Sequence, residues 1–128
     1  MVQFKVYGQR HVLAAVRADL SEVLHAAAVD VLGSPPGARF QRFFALDAQD
    51  FPIPTGRSVR YTIVEVSMMS GRTVAAKKAF YARLYADAAG LGIDPMDLEV
   101  TVVETPAHDW AVRGLPGDEL VHAGPVQP

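Results

Sequence analysis

Two features of this 128-residue chain could bind or move charge on a small molecule. The first is the turn Ser70-Gly71-Arg72-Thr73, which runs into Val74-Ala75-Ala76-Lys77-Lys78. A helix starting there, capped by Ser70 or Thr73, would present free N–H groups and a partial positive charge. Arg72 would add a guanidinium, and together they suit a carboxylate or similar anion. Taken alone, an arginine in a turn reads as a solvated charge. The second feature is the terminal amine. MVQFKVYG alternates apolar and polar residues from Val2 to Tyr7, so a strand begins flush with the first residues. Ordering a chain end costs ~1–2 kcal/mol per residue. Either that strand closes a sheet edge or the amine has a chemical role, such as moving a proton or forming an imine.

The remaining reactive types are scattered. Arg10 follows Gly8 near a matching turn in the first half, with its register shifted by one residue relative to Arg72. Arg39, Arg42, Arg57 and Arg60 make the middle of the chain locally basic. Arg42 and Arg60 read as ordinary strand-edge charge, while Arg39 and Arg57 read either so or as a lure for anions. His25 flanks an apolar stripe and reads as structural. His11, His108 and His122 lack metal-ligand spacing, so no metal and no cofactor are expected. Glu104 closes the last strand and could orient a reactive group, but reads more simply as a solvated strand end. Trp110 is the one large anchor in a Gly- and Pro-rich tail. There is no cysteine, which excludes disulfides and thiolate chemistry. The formal charge of -2 and the lack of a basic patch make nucleic acid an unexpected partner. No apolar run nears the ~20 residues of a membrane helix. A soluble, cytoplasmic protein is expected, with no membrane partner and no leader segment.

The elements that must position these groups follow from periodicity. Val12, Leu13, Val16, Leu20, Val23, Leu24, Ala27, Val31 and Leu32 recur at three and four, which predicts an amphipathic helix ending at Gly33. ARFQRFFAL predicts a second strand, VRYTIVEVSMM a central third and LEVTVVET a fourth. TVAAKKAFYARLYADAAGLG predicts a second helix. The order is β-α-β twice. Leu32, Gly33 and Pro36 match Leu91, Gly92 and Pro95 at one constant offset, each set at a helix-to-strand junction. An internal duplication is the simplest reading. It gives one domain over residues 1–128, with repeats at about 2–46 and 59–105 and a tail at 106–128, loose towards its end. The class is α+β: a four-stranded mixed sheet with two helices on one face. The other face is left bare and apolar, carrying residues such as Phe4, Ile63 or Val100 according to register. Self-association would cover it.

Strand start, duplicated β-α-β units and the Ser70–Lys78 segment together resemble the tautomerase superfamily. The junction Leu32-Gly33-Ser34-Pro35-Pro36-Gly37-Ala38-Arg39-Phe40-Gln41 and the turn Asp109-Trp110 are similar to its malonate semialdehyde decarboxylase-like group. The resemblance implies a homotrimer whose N-terminus lies at the bottom of the active site. There a proline exposed by removal of the initiator methionine acts as base or acid, and arginines hold a small oxo- or enol-carboxylate. This chain lacks the proline and carries Val2. With Met1 removed, Val2 would present a primary amine. Such an amine has an ordinary pKa of about 7.7–8.0, which a dry pocket with nearby arginines would lower. With Met1 retained, the amine moves by about 3.3 Å along the strand. Ala38 stands where the group has an aspartate, and Ser70 replaces the first of its paired arginines, leaving Arg72. Decarboxylation is therefore not expected.

The resemblance implies weak keto–enol tautomerase (isomerase) activity, with Val2 as base and Arg72, Arg39 and Trp110 as binding residues. The alternative is a catalytically dead trimeric binding or structural protein. A ferredoxin-like regulatory module is a third reading that shares the β-α-β duplication.

Overall fold

The computed structural model describes residues 1–123. The expected looseness of the chain end concerns residues 124–128, outside the described residues. Alternation at the N-terminus builds β1 (Val2–Gln9), with Val2, Phe4 and Val6 buried. The chain passes with no intervening residue into α1 (Arg10–Leu32). Gly8 permits that abrupt reversal, because a β-carbon there would stand 3.1 Å from Leu13 Cγ. α1 buries Leu13, Leu20, Leu24, Ala27 and Leu32 along one stripe. It ends on Gly33, whose φ of 74° is the left-handed conformation that glycine adopts without strain. β2 (Phe40–Leu46) completes the first unit.

The second unit comprises β3 (Thr62–Met69), α2 (Val74–Ala89) and β4 (Leu98–Thr105). β3 starts three residues later than its β-branched run predicts. α2 buries Phe80, Leu84 and Ala88 at four-residue steps. Full burial of Phe80 stabilises the fold by roughly 1.5–3 kcal/mol. The duplicated junction keeps its glycine: Gly92 has φ 80°, matching Gly33.

The sheet order is β2-β1-β3-β4, parallel within each unit and antiparallel between β1 and β3. This register resolves the facing of the strands. Phe4 and Val100 lie with the helices, where the Phe4 ring is 6.2 Å from that of Phe80. Of the three residues considered for the bare face, only Ile63 is on it. That face is mixed rather than plainly apolar. Tyr7 stacks on Phe44 at 4.8 Å, Lys5 lies between Arg42 and Glu65 in register, and Phe40 and Val103 are exposed.

The segment after β4 is more structured than its composition implies. β5 (Ala111–Val112) and β6 (Leu115–Pro116) form a hairpin closed by Arg113 and Gly114, both at positive φ, followed by α3 (Gly117–Ala123). Gly117 donates its N–H to the Trp110 carbonyl at 2.6 Å, and a β-carbon there would press on Met69 and Trp110. The hairpin therefore covers the Met69 end of the open face.

Candidate functional site

The antiparallel centre of the sheet brings the start of β1 beside the end of β3. In register, Val2 pairs with Met68, and Met68 pairs with Glu104 on β4. These three share the helix-facing side at one end of the sheet. Above them lies the turn from β3 into α2. Gly71, at φ 132°, lets the chain leave the strand, and Thr73 caps α2 by accepting the Ala76 N–H at 3.1 Å. Between these two residues Arg72 folds back over the row. Its guanidinium donates to the Leu32 carbonyl at the end of α1 at 3.2 Å. Longer contacts of 3.5 Å reach Met68 Sδ and the Met69 carbonyl. Arg72 Nε is buried with no hydrogen-bond partner among the described residues. A cavity of about 260 Å³ opens here, lined by Val31, Leu32, Gly71, Arg72, Thr73 and Ala76.

The Met1 amine lies at the same end of the sheet. Burial, and secondarily the Arg72 charge, lower its pKa from 8.0 to about 6. At neutral pH it is mostly free base, about ten to one. Burial also lowers the Arg72 pKa, opposed by the charge of Glu104. Among the described residues Arg72 makes no ion pair; the Glu104 carboxylate receives the Lys77 ammonium from the first turn of α2. A free amine, a cation with an unused N–H and a helix N-terminus at one spot can seat a carboxylate and exchange a proton with it.

The other sequence candidates fall elsewhere. Val2 is in the row, its side chain buried against the core. Arg39 directly precedes Phe40, which pairs with Gln3, so its backbone is near. Its guanidinium turns instead to α1, reaching Glu22 at 2.8 Å and Ser21 at 3.1 Å. Trp110 belongs to the C-terminal hairpin, and its indole N–H is buried and unpartnered among the described residues. His25 bonds the Pro36 carbonyl at 2.7 Å, Arg57 pairs with Glu99 and Arg60 bonds the Gly92 carbonyl. Arg10 pairs with Asp47 at 3.1 Å beside a second, open cavity of about 540 Å³. Sequence reasoning missed the Lys77–Glu104 pair. The available signal was a lysine in the first turn of a helix, where the dipole disfavours a cation.

A family model described as tautomerase enzyme matches residues 38–113, more than half of the chain. The chain belongs to the tautomerase family. Its fold is that of solved tautomerase-family structures. Malonate semialdehyde decarboxylase superposes with a TM-score of 0.81 at 23% identity, covering 94% of this chain and 98% of the other. A member of the cis-3-chloroacrylic acid dehalogenase family gives 0.78 at 22% identity, covering 94% and 89%. A fused 4-OT described as a symmetric trimer gives 0.74 at 25% identity, covering 87% and 91%. No helix among the described residues is long and apolar enough to cross a membrane.

Proposed function

We propose that this protein binds a small oxo- or unsaturated carboxylate on Arg72 and the N-terminus of α2. In this reading it catalyses slow keto–enol tautomerisation through its terminal amine. The catalytic amine is that of Val2, exposed by removal of Met1. The observation that carries the reading is the place of Val2 at the start of β1, paired with Met68 beneath the Arg72 guanidinium, where burial and the Arg72 charge lower the pKa of the adjoining Met1 amine. The ligand carboxylate takes the helix N–H groups and the Arg72 guanidinium, whose 3.5 Å contacts to Met68 and the Met69 carbonyl it replaces. The free amine accepts the enol hydroxyl proton as the carbonyl forms, and the resulting ammonium returns a proton to carbon. No net proton is consumed. Arg39 and Trp110 are the further binding residues of this reading. Arg39 must let go of Glu22 to serve, so its share is the smaller.

The working assembly is a homotrimer. The solved relatives described as trimers support this, as do the exposed Phe40, Phe44 and Val103 on the open sheet face. The second reading, a trimeric binding protein without catalysis, is favoured by the valine at position 2. Two measurements separate the readings. One is the N-terminal mass of the mature chain. The other is covalent trapping of the amine by borohydride in the presence of pyruvate, alongside loss of enol absorbance from an enolised 2-oxo acid. Met1 removal with trapping and turnover supports catalysis. Retained Met1 without turnover supports the binding protein.

A further inference from the structure

Lys77 stands where helix physics disfavours it. It occupies the first turn of α2, which carries no acidic residue, and its charge adds to the positive end of the helix dipole. Its compensation is Glu104, on the neighbouring strand, with which it makes a hydrogen-bonded ion pair; the two side chains are 21% and 24% exposed. Glu104 is also the carboxylate whose charge reaches Arg72. Met68, the cross-strand neighbour of Glu104, has its sulfur 3.5 Å from the Arg72 guanidinium. One carboxylate therefore lies within the electrostatic reach of two cations, and its hydrogen bond goes to Lys77 while Arg72 keeps only carbonyl and thioether contacts.

We infer that Lys77 is a positioning residue that withholds Glu104 from Arg72 and so keeps the guanidinium open to a ligand carboxylate. This rests on the carboxylate-binding reading proposed above. Without the Lys77 ammonium, Glu104 becomes an unpaired, largely buried anion next to a buried cation. Burial of an unpaired charge is costly, so the two close on each other and the site neutralises itself. An incoming carboxylate then has to compete with a tethered one at high effective concentration.

The test compares the full chain with Lys77→Met, which keeps the apolar stem, Glu104→Gln, and the double variant, each first checked for fold by circular dichroism. Two readouts are taken. One is the ¹⁵N-resolved signal and exchange rate of the Arg72 Nε–H. The other is calorimetric binding of pyruvate. Lys77→Met is expected to shift the Nε–H signal, slow its exchange and weaken pyruvate binding about tenfold or more. The double variant is expected to return both to within about threefold of the parent, a rescue that mere loss of packing would not give. An unchanged Nε–H signal in Lys77→Met overturns the inference whatever pyruvate does, and so does a double variant as impaired as the single one. If the signal moves as expected but the parent chain does not bind pyruvate, the carboxylate reading falls while the division of charge between Lys77 and Arg72 stands.

Discussion

At the start of α1, Arg10 reaches Asp47 at 3.1 Å, and both side chains are more than half exposed. At the start of α2, Arg72 is folded inward over Met68 and makes no ion pair among the described residues. The two places are equivalent in the duplicated plan, since each is the junction of a strand with its crossover helix. The first joins strand and helix directly, has no side-chain cap at Gln9 and satisfies its arginine at the surface. The second spends residues 70–73 on a turn that caps the helix and buries the arginine. A cation stays available to a ligand only where the protein has occupied the nearest carboxylate elsewhere. The first half lets Asp47 pair with its arginine, and the second assigns Glu104 to Lys77.

The comparison is tested most severely by charge removal. Arg72→Leu should weaken binding of pyruvate by about ten- to hundredfold, the range expected for a lost hydrogen bond between charged groups. Arg10→Leu should leave it within about twofold, because an exposed, self-paired arginine has little to give. Equal losses in calorimetry would erase the distinction between the halves. Next comes pH. Folding lowers the pKa of the Met1 amine from 8.0 to about 6. The Val2 amine exposed in the same buried corner beside Arg72 should likewise be lowered, so tautomerase kcat/KM of the processed chain should rise with pH through a midpoint below 8. Stability should move with it. Between pH 6 and 8 the unfolded chain binds more protons, so unfolding free energy increases with pH across that window and levels off outside it. A midpoint near 8 in either profile would mean the amine is solvated.

The matched glycines give a smaller contrast. Gly33→Ala should cost about 1–2 kcal/mol in urea denaturation, the strain of a left-handed β-carbon. Gly92→Ala should cost at most a few tenths of a kcal/mol more, since the Arg60 Nη1 that its β-carbon would meet at 2.6 Å is the end of an exposed, flexible side chain that can swing aside. Thr73→Ala should cost about 1 kcal/mol through the lost cap. Smallest of all, Asp47→Asn should change stability by less than about 0.5 kcal/mol.

Periodicity made much of the fold legible. The three-and-four spacing marked both helices, and Leu32-Gly33 against Leu91-Gly92 pointed to the repeated β-α-β unit, since each helix-to-strand junction places a glycine at positive φ. Alternation could not say which of its two faces a strand turns inward. That depends on pairing partners distant in sequence, so local pattern alone does not assign Phe4 and Val100 to a face. The site was legible only in part. Arg72 announced itself through the glycine and threonine around it. Its division of charge with Glu104 and Lys77 depends on a cross-strand row that brings residues 2, 68 and 104 together, and no local pattern encodes that. Arg39 sits close by backbone, but Glu22, near the middle of α1, claims its guanidinium.

The unequal junctions also set how each half can change. Between Gln9 and Arg10 there is no spare residue, so an insertion would displace a strand and a helix at once. Residues 70–73 tie into the sheet through one backbone bond, from the Ser70 N–H to the Thr105 carbonyl at 2.9 Å. Recognition in the second half can therefore be rewritten by exchanging this short stretch while the scaffold stays put. The welded first half has no such freedom to drift.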